Sequence, residues 1–282
     1  MINCSLNKLY QTAGLTKQAV AQAAVRRKFL EEQLTLLLIE VDELRATQPG
    51  CGVEKMYYTL SPSFIGRDRF INIMMDLGYR LKTNRIRPKT TRRGHYFYPN
   101  LIEGKTFCGP HEVWQSDITY YEVGDRFYYL VFLIDIYSKA IVGYAVSDHM
   151  RAEANLKALN IAVDHFGYPK IHHSDRGSQY LYKPYLTRLK RKNTQISMGL
   201  IGQENAFAER INGTIKNEYL RYRKIKSFKD LIRWTKQAVE DYNSRRIHNH
   251  LGRQTPLDFL AKYNPTKRNT CYDVFVPIFN NQ

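Results

Sequence analysis

Three acidic residues, each in a different predicted element, could together hold divalent cations. Asp117 lies within an apolar and aromatic segment that is predicted to be a strand, and Asp175 follows the end of another. Glu209 lies on a predicted helix. Hard ions such as Mg²⁺ prefer carboxylate oxygens, and an acid buried in a strand is costly without a partner such as a metal. We therefore expect these three acids to converge on one metal-binding centre.

Such a centre would suit phosphoryl transfer between two oxygens. That reaction needs charge neutralised on the phosphate and the attacking and leaving oxygens held in line, and two divalent ions about 3.5–4 Å apart do both. Lys216 lies seven positions after Glu209 and therefore on the same helical face. We expect its ammonium group to contact a phosphate beside the ions.

The overall charge indicates a polyanionic partner. Among 282 residues, 43 are Lys or Arg and 26 are Asp or Glu, which gives a net charge of +17. Basic side chains that neutralise phosphates release condensed counterions and so favour binding to nucleic acid. We predict nucleic acid as the partner, the alternative being a basic protein that binds no polyanion.

Residues 80–93 form the densest basic segment of the chain and contain no Asp or Glu. Pro88 and Gly94 oppose a long helix there. We predict a linker over residues 80–110 that lies along DNA phosphates, the alternative being a solvated linker without such contacts. The side chains expected to contact DNA are Arg85, Arg87, Lys89, Arg92 and Arg93.

Residues 1–79 are predicted to form a helical region that binds DNA. Short runs at helical spacing occupy residues 5–32, where Gly14 interrupts them and Thr16 can cap the second. A helix, a glycine-centred turn and another helix are typical of a helix-turn-helix. A separate helix is predicted over Leu34–Leu44.

A second possible helix-turn-helix follows. Pro49–Gly52 should end the preceding helix, and helical spacing then returns in Val53–Leu60 and Arg67–Leu77. Gly78 has the position of a residue that closes a helix. The alternative interpretation is a small helical bundle used for dimerisation.

The hydrophobic pattern changes at Val113 from helical spacing to that of strands. Three strands in succession are predicted over Val113–Val123, Phe127–Ile136 and Ala140–Val146, with hairpin turns at Gly124 and Ser138. Helices and strands then alternate: Ala152–Phe166 (helix), Lys170–His173 (strand), Tyr182–Lys190 (helix), Thr194–Met198 (strand) and Asn205–Leu220 (helix). This order predicts an α/β core with one mixed five-stranded sheet flanked by helices, as in the ribonuclease H-like fold.

The cysteines predict neither a disulfide framework nor a zinc site. Cys4, Cys51, Cys108 and Cys271 are far apart and include no C-x-x-C pair. We expect all four to be reduced and largely buried.

No segment predicts membrane insertion or secretion. No stretch approaches the roughly 20 consecutive apolar residues that span a bilayer, and the N-terminus lacks the apolar run of a secretory signal. We expect a cytoplasmic, nucleoid-associated protein.

Several segments together resemble the OrfB transposases of bacterial insertion sequences, which belong to the retroviral-integrase superfamily. The core segments are Trp114–Tyr120, Ile134–Lys139, His173–Tyr180, Asn205–Glu209 and Gly213–Glu218. A later set comprises Tyr242-Asn243, Arg246, His248, Leu251-Gly252 and Thr255-Pro256. The resemblance is strong over residues 110–260 and loose before them.

The resemblance implies a D-D-E triad at Asp117, Asp175 and Glu209 that binds Mg²⁺ or Mn²⁺, within a catalytic core over residues 111–221. A helical extension and tail, residues 222–282, would follow. It also implies nicking at element ends to free a 3′-hydroxyl, attack of that hydroxyl on another phosphodiester, and an upstream partner frame often fused by frameshifting. Because two ends are brought together, we expect a homo-oligomer on DNA.

Two departures from the family pattern are visible. Thirty-three residues separate Asp175 from Glu209, slightly fewer than is usual, and Ile247 stands where a proline after arginine is common. The first indicates a shortened loop between the two acids.

Other residues offer alternatives for the site. Glu204 is a rival third acid, although at the start of a helix it would also complement the helix dipole. Asp135 more simply serves a turn or a salt bridge. His172 and His173 are adjacent in a strand and point to opposite faces, so they do not easily share an ion.

Two other functions are compatible with these residues. A nuclease of the same fold would cut but not join DNA. A DNA-binding regulator with an inert core would keep its activity without Asp117 or Glu209.

Overall fold

The computed structural model describes residues 10, 12, 14–81, 97–200, 202–264 and 271–273. The chain divides into two compact units. One comprises Met1–Thr47 and Cys51–Lys82, and the other comprises Gln48–Gly50 and Thr83–Gln282. Within the described residues, no helix is both long enough and apolar enough to cross a membrane.

The first unit contains three described helices: α1 (Lys17–Thr47), α2 (Val53–Leu60) and α3 (Arg67–Asp76). The last two were predicted. The prediction of a break between residues 32 and 34 was wrong, because neither Gly nor Pro interrupts residues 17–47 and the helix continues through them. Most of the helix predicted before Gly14 lies outside the described residues.

The ends of these helices follow the sequence signals. The Thr16 hydroxyl accepts a hydrogen bond from Ala19 N at 3.0 Å, as a helix cap does. After α3, Gly78 N donates to Met75 O and Tyr79 N donates to Met74 O, with Gly78 at φ +86°. This is a Schellman closure, in which glycine adopts the left-handed backbone at no steric cost. Buried Val41, Met56, Phe70 and Met74 form the centre of the unit's core.

The second unit contains the predicted five-stranded mixed sheet. Its main strands are β2 (Val113–Val123), β3 (Arg126–Asp135), β4 (Ile141–Ser147), β5 (Ile171–Ser174) and β6 (Gln195–Met198). The order is β4-β3-β2-β5-β6; the first three strands are antiparallel, whereas β5 and β6 run parallel to β2. Positive φ angles at Gly124 and Lys139 form the two predicted turns. The ribonuclease H-like fold is therefore confirmed.

Helices cover both faces of the sheet. They are α4 (Glu153–Phe166), α5 (Lys183–Lys190), α6 (Ala206–Thr214) and α7 (Phe228–Ser244). Alternate residues of β3 divide between two cores: Val131 and Leu133 pack with α4 and α5, while Leu130, Phe132 and Ile134 pack with α6 and α7. Burial on both faces explains why β3 is almost wholly apolar.

The predicted helix Asn205–Leu220 is less regular than its pattern suggested. The α-helical part is α6, after which Ile215–Tyr219 forms a π turn and Leu220–Tyr222 a 3₁₀ turn. Within the irregular part, Glu218 O accepts a hydrogen bond from Gly50 N at 2.7 Å. This long-range contact, made by residues far apart in sequence, cannot be seen in a local pattern.

The cysteine prediction was wrong for two of the four residues. Cys108 and Cys271 form a disulfide, with Cα atoms 4.2 Å apart across a sequence separation of 163. The short strands β1 (Thr106–Phe107) and β7 (Tyr272–Asp273) pair antiparallel and bring the two cysteines together. Spacing along the chain could not predict this pair, since it depends on that strand pairing.

Candidate active site

Asp117 lies in the central strand of the sheet. It is opposite Phe132 of β3, and β2 also pairs with β5 on its other side. Its carboxylate accepts a hydrogen bond from Asn212 Nδ2 of α6 at 2.7 Å. Asp117 on the strand is thus bonded to α6, the helix that also carries Glu209.

Asp175 follows the last residue of β5. Ser116 and Ser174 are partners in the parallel β2–β5 ladder, so Asp117 and Asp175 each come next after a paired residue. Asp175 Oδ1 accepts a hydrogen bond from Gly177 N at 3.0 Å. A Cβ at position 177 would lie 2.9 Å from that oxygen, so a larger residue there would displace the carboxylate. The turn holds the carboxylate at the carboxyl end of the strand, where α/β sheets place functional groups.

Glu209 lies in the first turn of α6 and is exposed. The same helix carries Asn212, which bonds to Asp117, and buried Ala208 and Ile211, which pack in the core beneath the sheet. The helix is therefore fixed on the sheet by one face while Glu209 remains accessible.

The electrostatics link the three acids. The pKa of Asp117 is raised to about 7, chiefly because the carboxyl is buried and also because the charges of Asp175 and Glu209 repel its ionised form. Hydrogen bonds from Ile118 N and from the Asn212 amide act in the opposite direction. Burial also raises the pKa of Asp175, and the Gly177 N–H group partly offsets that rise. A cation at this place would relieve the repulsion.

The three carboxylates offer the oxygen ligands that a hard divalent ion prefers. Among the described residues, no three His, Cys, Asp or Glu side chains stand close enough together to hold an ion. Asp117 nevertheless feels the charges of both other acids. Carboxylates in mutual repulsion are the oxygen donors that Mg²⁺ or Mn²⁺ would bind and draw together.

Lys216 lies near Asp117, and its side chain is half-buried. Its half-buried Nζ is 3.4 Å from Tyr120 O and 5.1 Å from the centre of the Tyr120 ring. Burial lowers the pKa of Lys216, and the negative charge of Asp117 partly restores it. The other predicted DNA contacts, Arg85, Arg87, Lys89, Arg92 and Arg93, lie outside the described residues.

The rival residues have other partners. The Glu204 carboxylate accepts a hydrogen bond from Leu200 N. Asp135 accepts hydrogen bonds from the Ser138 N–H group, the Ser138 hydroxyl and His111 N, which is the turn role expected of it. His172 bonds to the Tyr185 hydroxyl at 2.7 Å, and His173 bonds to Ser197 Oγ at 2.8 Å.

Sequence reasoning missed two polar residues of this region. Asn212 contacts Asp117, and Gln115 contacts the start of α6 through hydrogen bonds to Phe207 N and Ala208 N. A signal was available for Gln115, because an amide in a strand otherwise rich in apolar and aromatic residues needs partners when it is buried.

Comparison with known proteins finds an integrase core domain in this chain. Two family models, each described as "Integrase core domain", match residues 109–203 and 195–256. In the solved intasome of simian T-cell lymphotropic virus with a PP2A regulatory subunit, one chain superposes with a TM-score of 0.50 at 16% identity, over 81% of this chain and 76% of that one. The magnesium-bound catalytic core of HTLV-2 integrase gives 0.46 at 20% identity, over 54% of this chain and 97% of that one.

Relatives in insertion sequences are closer in sequence. A 31 kDa protein of insertion element IS600 from Shigella sonnei is 34% identical over 84% of this chain and 90% of its own length. Transposase InsF of IS3A from Escherichia coli is 32% identical over 66% and 67%. The IS629 transposase of Shigella sonnei is 35% identical, and the chain spans about half of its length (53%).

The mixed sheet and the matched core define a protein with an integrase catalytic core of ribonuclease H-like fold. The chain belongs to the IS3-type transposases of bacterial insertion sequences, within the retroviral-integrase superfamily. It is a polynucleotidyl transferase that acts in DNA transposition and integration.

Proposed function

We propose that Asp117, Asp175 and Glu209 bind two Mg²⁺ or Mn²⁺ ions and form the centre that cuts DNA at insertion-sequence ends and joins the freed 3′-hydroxyl to a second phosphodiester. The observation that carries this proposal is geometric: Asp117 and Asp175 each follow a paired residue of the β2–β5 ladder, and Asn212, three residues after Glu209, bonds to Asp117. Bound divalent ions would neutralise the phosphate and align the attacking and leaving oxygens.

The residues of the chain orient and tune the carboxylates. Asn212 donates to Oδ2 of Asp117, and Ile118 N also bonds to that carboxyl group. Gly177 N holds Oδ1 of Asp175 in the same way. Lys216 lies beside Tyr120 and brings positive charge near Asp117. This position supports our proposal that Lys216 contacts a DNA phosphate close to the reacting group.

A basic surface on the second unit supports binding of DNA outside the acids. Helix α5 and the turn after it contain no acid, and the exposed Lys183, Arg191 and Lys192 form no ion pair within the part of the chain that the structure describes. Lys183 and Arg191 line a groove of about 510 Å³ between α4 and α5. We place DNA phosphates along this groove, in addition to the predicted linker contacts of residues 80–110.

The first unit supports a multimer. On α1, the apolar side chains of Val25, Phe29, Leu36 and Ile39 are 70, 53, 59 and 56% exposed. Their separations of four, seven and three residues follow the 4-3 heptad spacing of a coiled-coil seam, except that Glu32 occupies one position. We propose that α1 pairs with a second copy of the chain. DNA binding by helices of residues 1–79, and a partner encoded by an upstream frame, remain predictions.

A strand-transfer assay tests the proposed centre. The substrate is a duplex with the element's own terminal repeat and a pre-cleaved 3′ end, supplied with target DNA and Mg²⁺. We expect D117N, D175N and E209Q each to lose joining at least about a thousandfold while binding the end DNA, since each removes one proposed ion ligand. The matched control is E122Q, which changes an exposed acid farther along β2 and should join normally.

Other outcomes identify the alternatives. Wild-type protein that cuts an uncleaved end but never joins would indicate a nuclease. Transposition in cells that survives D117A and E209A would indicate a regulator with an inert core. Loss of joining in E204Q with full activity in E209Q would indicate that Glu204, not Glu209, is the third acid of the centre.

A further inference from the structure

Gln115 is a fully buried amide two residues before Asp117 on the central strand. Side chains two apart on a strand point to the same face of the sheet. Gln115 therefore shares with Asp117 the face on which α6 lies. Because burial of an unsatisfied amide is costly, its hydrogen-bond partners determine what the residue does.

Both ends of the Gln115 amide bond to the start of α6. Oε1 accepts hydrogen bonds from Phe207 N at 3.1 Å and from Ala208 N at 3.3 Å, and Nε2 donates to Glu204 O at 3.1 Å. The first N–H groups of a helix have no partner within the helix and are usually capped by a side chain just before it. Here the cap comes from a strand about ninety residues earlier.

The residue at the local capping position has another partner. Asn205 precedes α6, but its side chain does not cap the helix; its Nδ2 donates to Ser116 O at 2.9 Å. Nearly two turns into the helix, Asn212 donates to Asp117. Three consecutive residues of β2, at positions 115, 116 and 117, are thus each bonded to the segment 204–212.

We infer that Gln115 is a positioning residue that sets the place of Glu209 relative to Asp117, and so the affinity of the acids for divalent ions. This inference rests on the proposed function. Glu209 immediately follows Ala208, whose N–H group is held by Gln115. A glutamine amide offers an acceptor to two N–H groups through its oxygen and a donor to a carbonyl through its nitrogen. Loss of these bonds leaves the start of α6 joined to β2 through the hydrogen bonds of Asn205 and Asn212 and through core packing.

The test measures metal binding apart from catalysis. Q115M keeps the length of the side chain and removes all three hydrogen bonds. Q115E keeps the acceptor for the two N–H groups and loses the donor. The matched control is N243L: Asn243 is also a buried amide, and it joins α7 to β4 by two hydrogen bonds to Ile141, each of 2.9 Å, without contacting the segment 204–212.

The readouts are the rise in melting temperature of the full chain with added Mn²⁺ and the Mg²⁺ concentration that gives half-maximal joining. For Q115M we expect about a tenfold or greater increase in both half-maximal concentrations, as is usual when an outer partner of a metal ligand is removed. Q115E should fall between Q115M and the wild type. N243L should lower the melting temperature without metal and keep the wild-type metal dependence.

Each failure has its own signature. Unchanged metal dependence in Q115M, with a melting temperature lowered as far as in N243L, would overturn the positioning role and leave the proposed function standing. A wild-type chain that neither binds Mn²⁺ nor joins DNA would overturn both. If Q115M does not fold, N205A removes the neighbouring bond to Ser116 O and should raise both half-maximal concentrations; wild-type values in N205A and Q115E would contradict the inference.

Discussion

Asn212 and Asp117 are joined by a 2.7 Å hydrogen bond between the amide Nδ2 and the carboxylate Oδ2. The bond favours the ionised form of Asp117 and so lowers its pKa, but burial and the charges of Asp175 and Glu209 outweigh it. Asp117 is therefore held in place by a neutral donor rather than by a positive charge. A bound cation would relieve the repulsion that Asp175 and Glu209 exert on the Asp117 carboxylate.

This balance predicts how stability depends on pH in the absence of metal. The pKa of Asp117 is about 7 in the folded chain, above the ordinary value of 3.8. The stabilisation from holding this proton is complete below pH 3.8 and is lost as the pH rises through 7. We expect D117N to melt at a higher temperature than the wild type in EDTA at pH 8, with a smaller difference at pH 5. Equal differences at the two pH values would contradict the raised pKa.

Gly50 should tolerate no larger residue. A Cβ at this position would lie 2.3 Å from Glu218 Cα, whereas a Cβ at Gly52 meets nothing within 4 Å. We expect G50A to reduce the free energy of unfolding by roughly 1–3 kcal/mol or more, as forced overpacking does. G52A is the control: its backbone is extended with φ −71° and its Cβ meets nothing, so it should lose only the N-cap preference for glycine over alanine and less stability than G50A. Denaturant unfolding of both variants tests the pair.

The salt dependence of DNA binding tests the groove between α4 and α5. Each phosphate contact contributes about 0.9 to the slope of log affinity against log salt concentration. If Lys183 and Arg191 each contact a phosphate, K183Q/R191Q should reduce the slope by about 1.8. Measurements with end DNA and with target DNA separately show which duplex occupies the groove. An unchanged slope with both duplexes would remove the groove from the DNA surface.

The exposed apolar residues of α1 predict a change of oligomeric state. We expect F29E/L36E to shift the chain to a smaller species in sedimentation velocity, because two charges would enter the seam of a coiled coil. As a control, E32L should strengthen association, since it fills the polar gap between Phe29 and Leu36. If F29E/L36E and the wild type sediment alike, α1 is not the contact between copies.

Local patterns were sufficient to predict most of the second unit. The bounds of β2 agree with the prediction at both ends, and the positive φ angles of Gly124 and Lys139 occur at the predicted turns. These features depend on the alternation of apolar and polar residues along a strand and on the residue types at the turns, both of which are local in sequence. The helix α1 was divided wrongly because a weakly amphipathic run was interpreted as two helices, although nothing in it breaks a helix.

Contacts between distant residues were beyond the sequence pattern. Gln115 caps a helix from a strand, and the hydrogen bond between Gly50 and Glu218 accompanies a π turn where a regular helix was predicted. The three acids were predicted from their positions on a strand, after a strand and on a helix, together with the motifs that resemble the OrfB transposases. Their mutual effect on the pKa of Asp117 needed the packed sheet and helix to be seen.

The disulfide has a consequence for the covalent topology of the second unit. Cys108 and Cys271 close a ring of backbone that contains the entire five-stranded sheet and all three acids. While that bond is intact, one proteolytic cut inside the ring opens it without releasing a fragment. The two pieces stay joined through the disulfide as one covalent molecule.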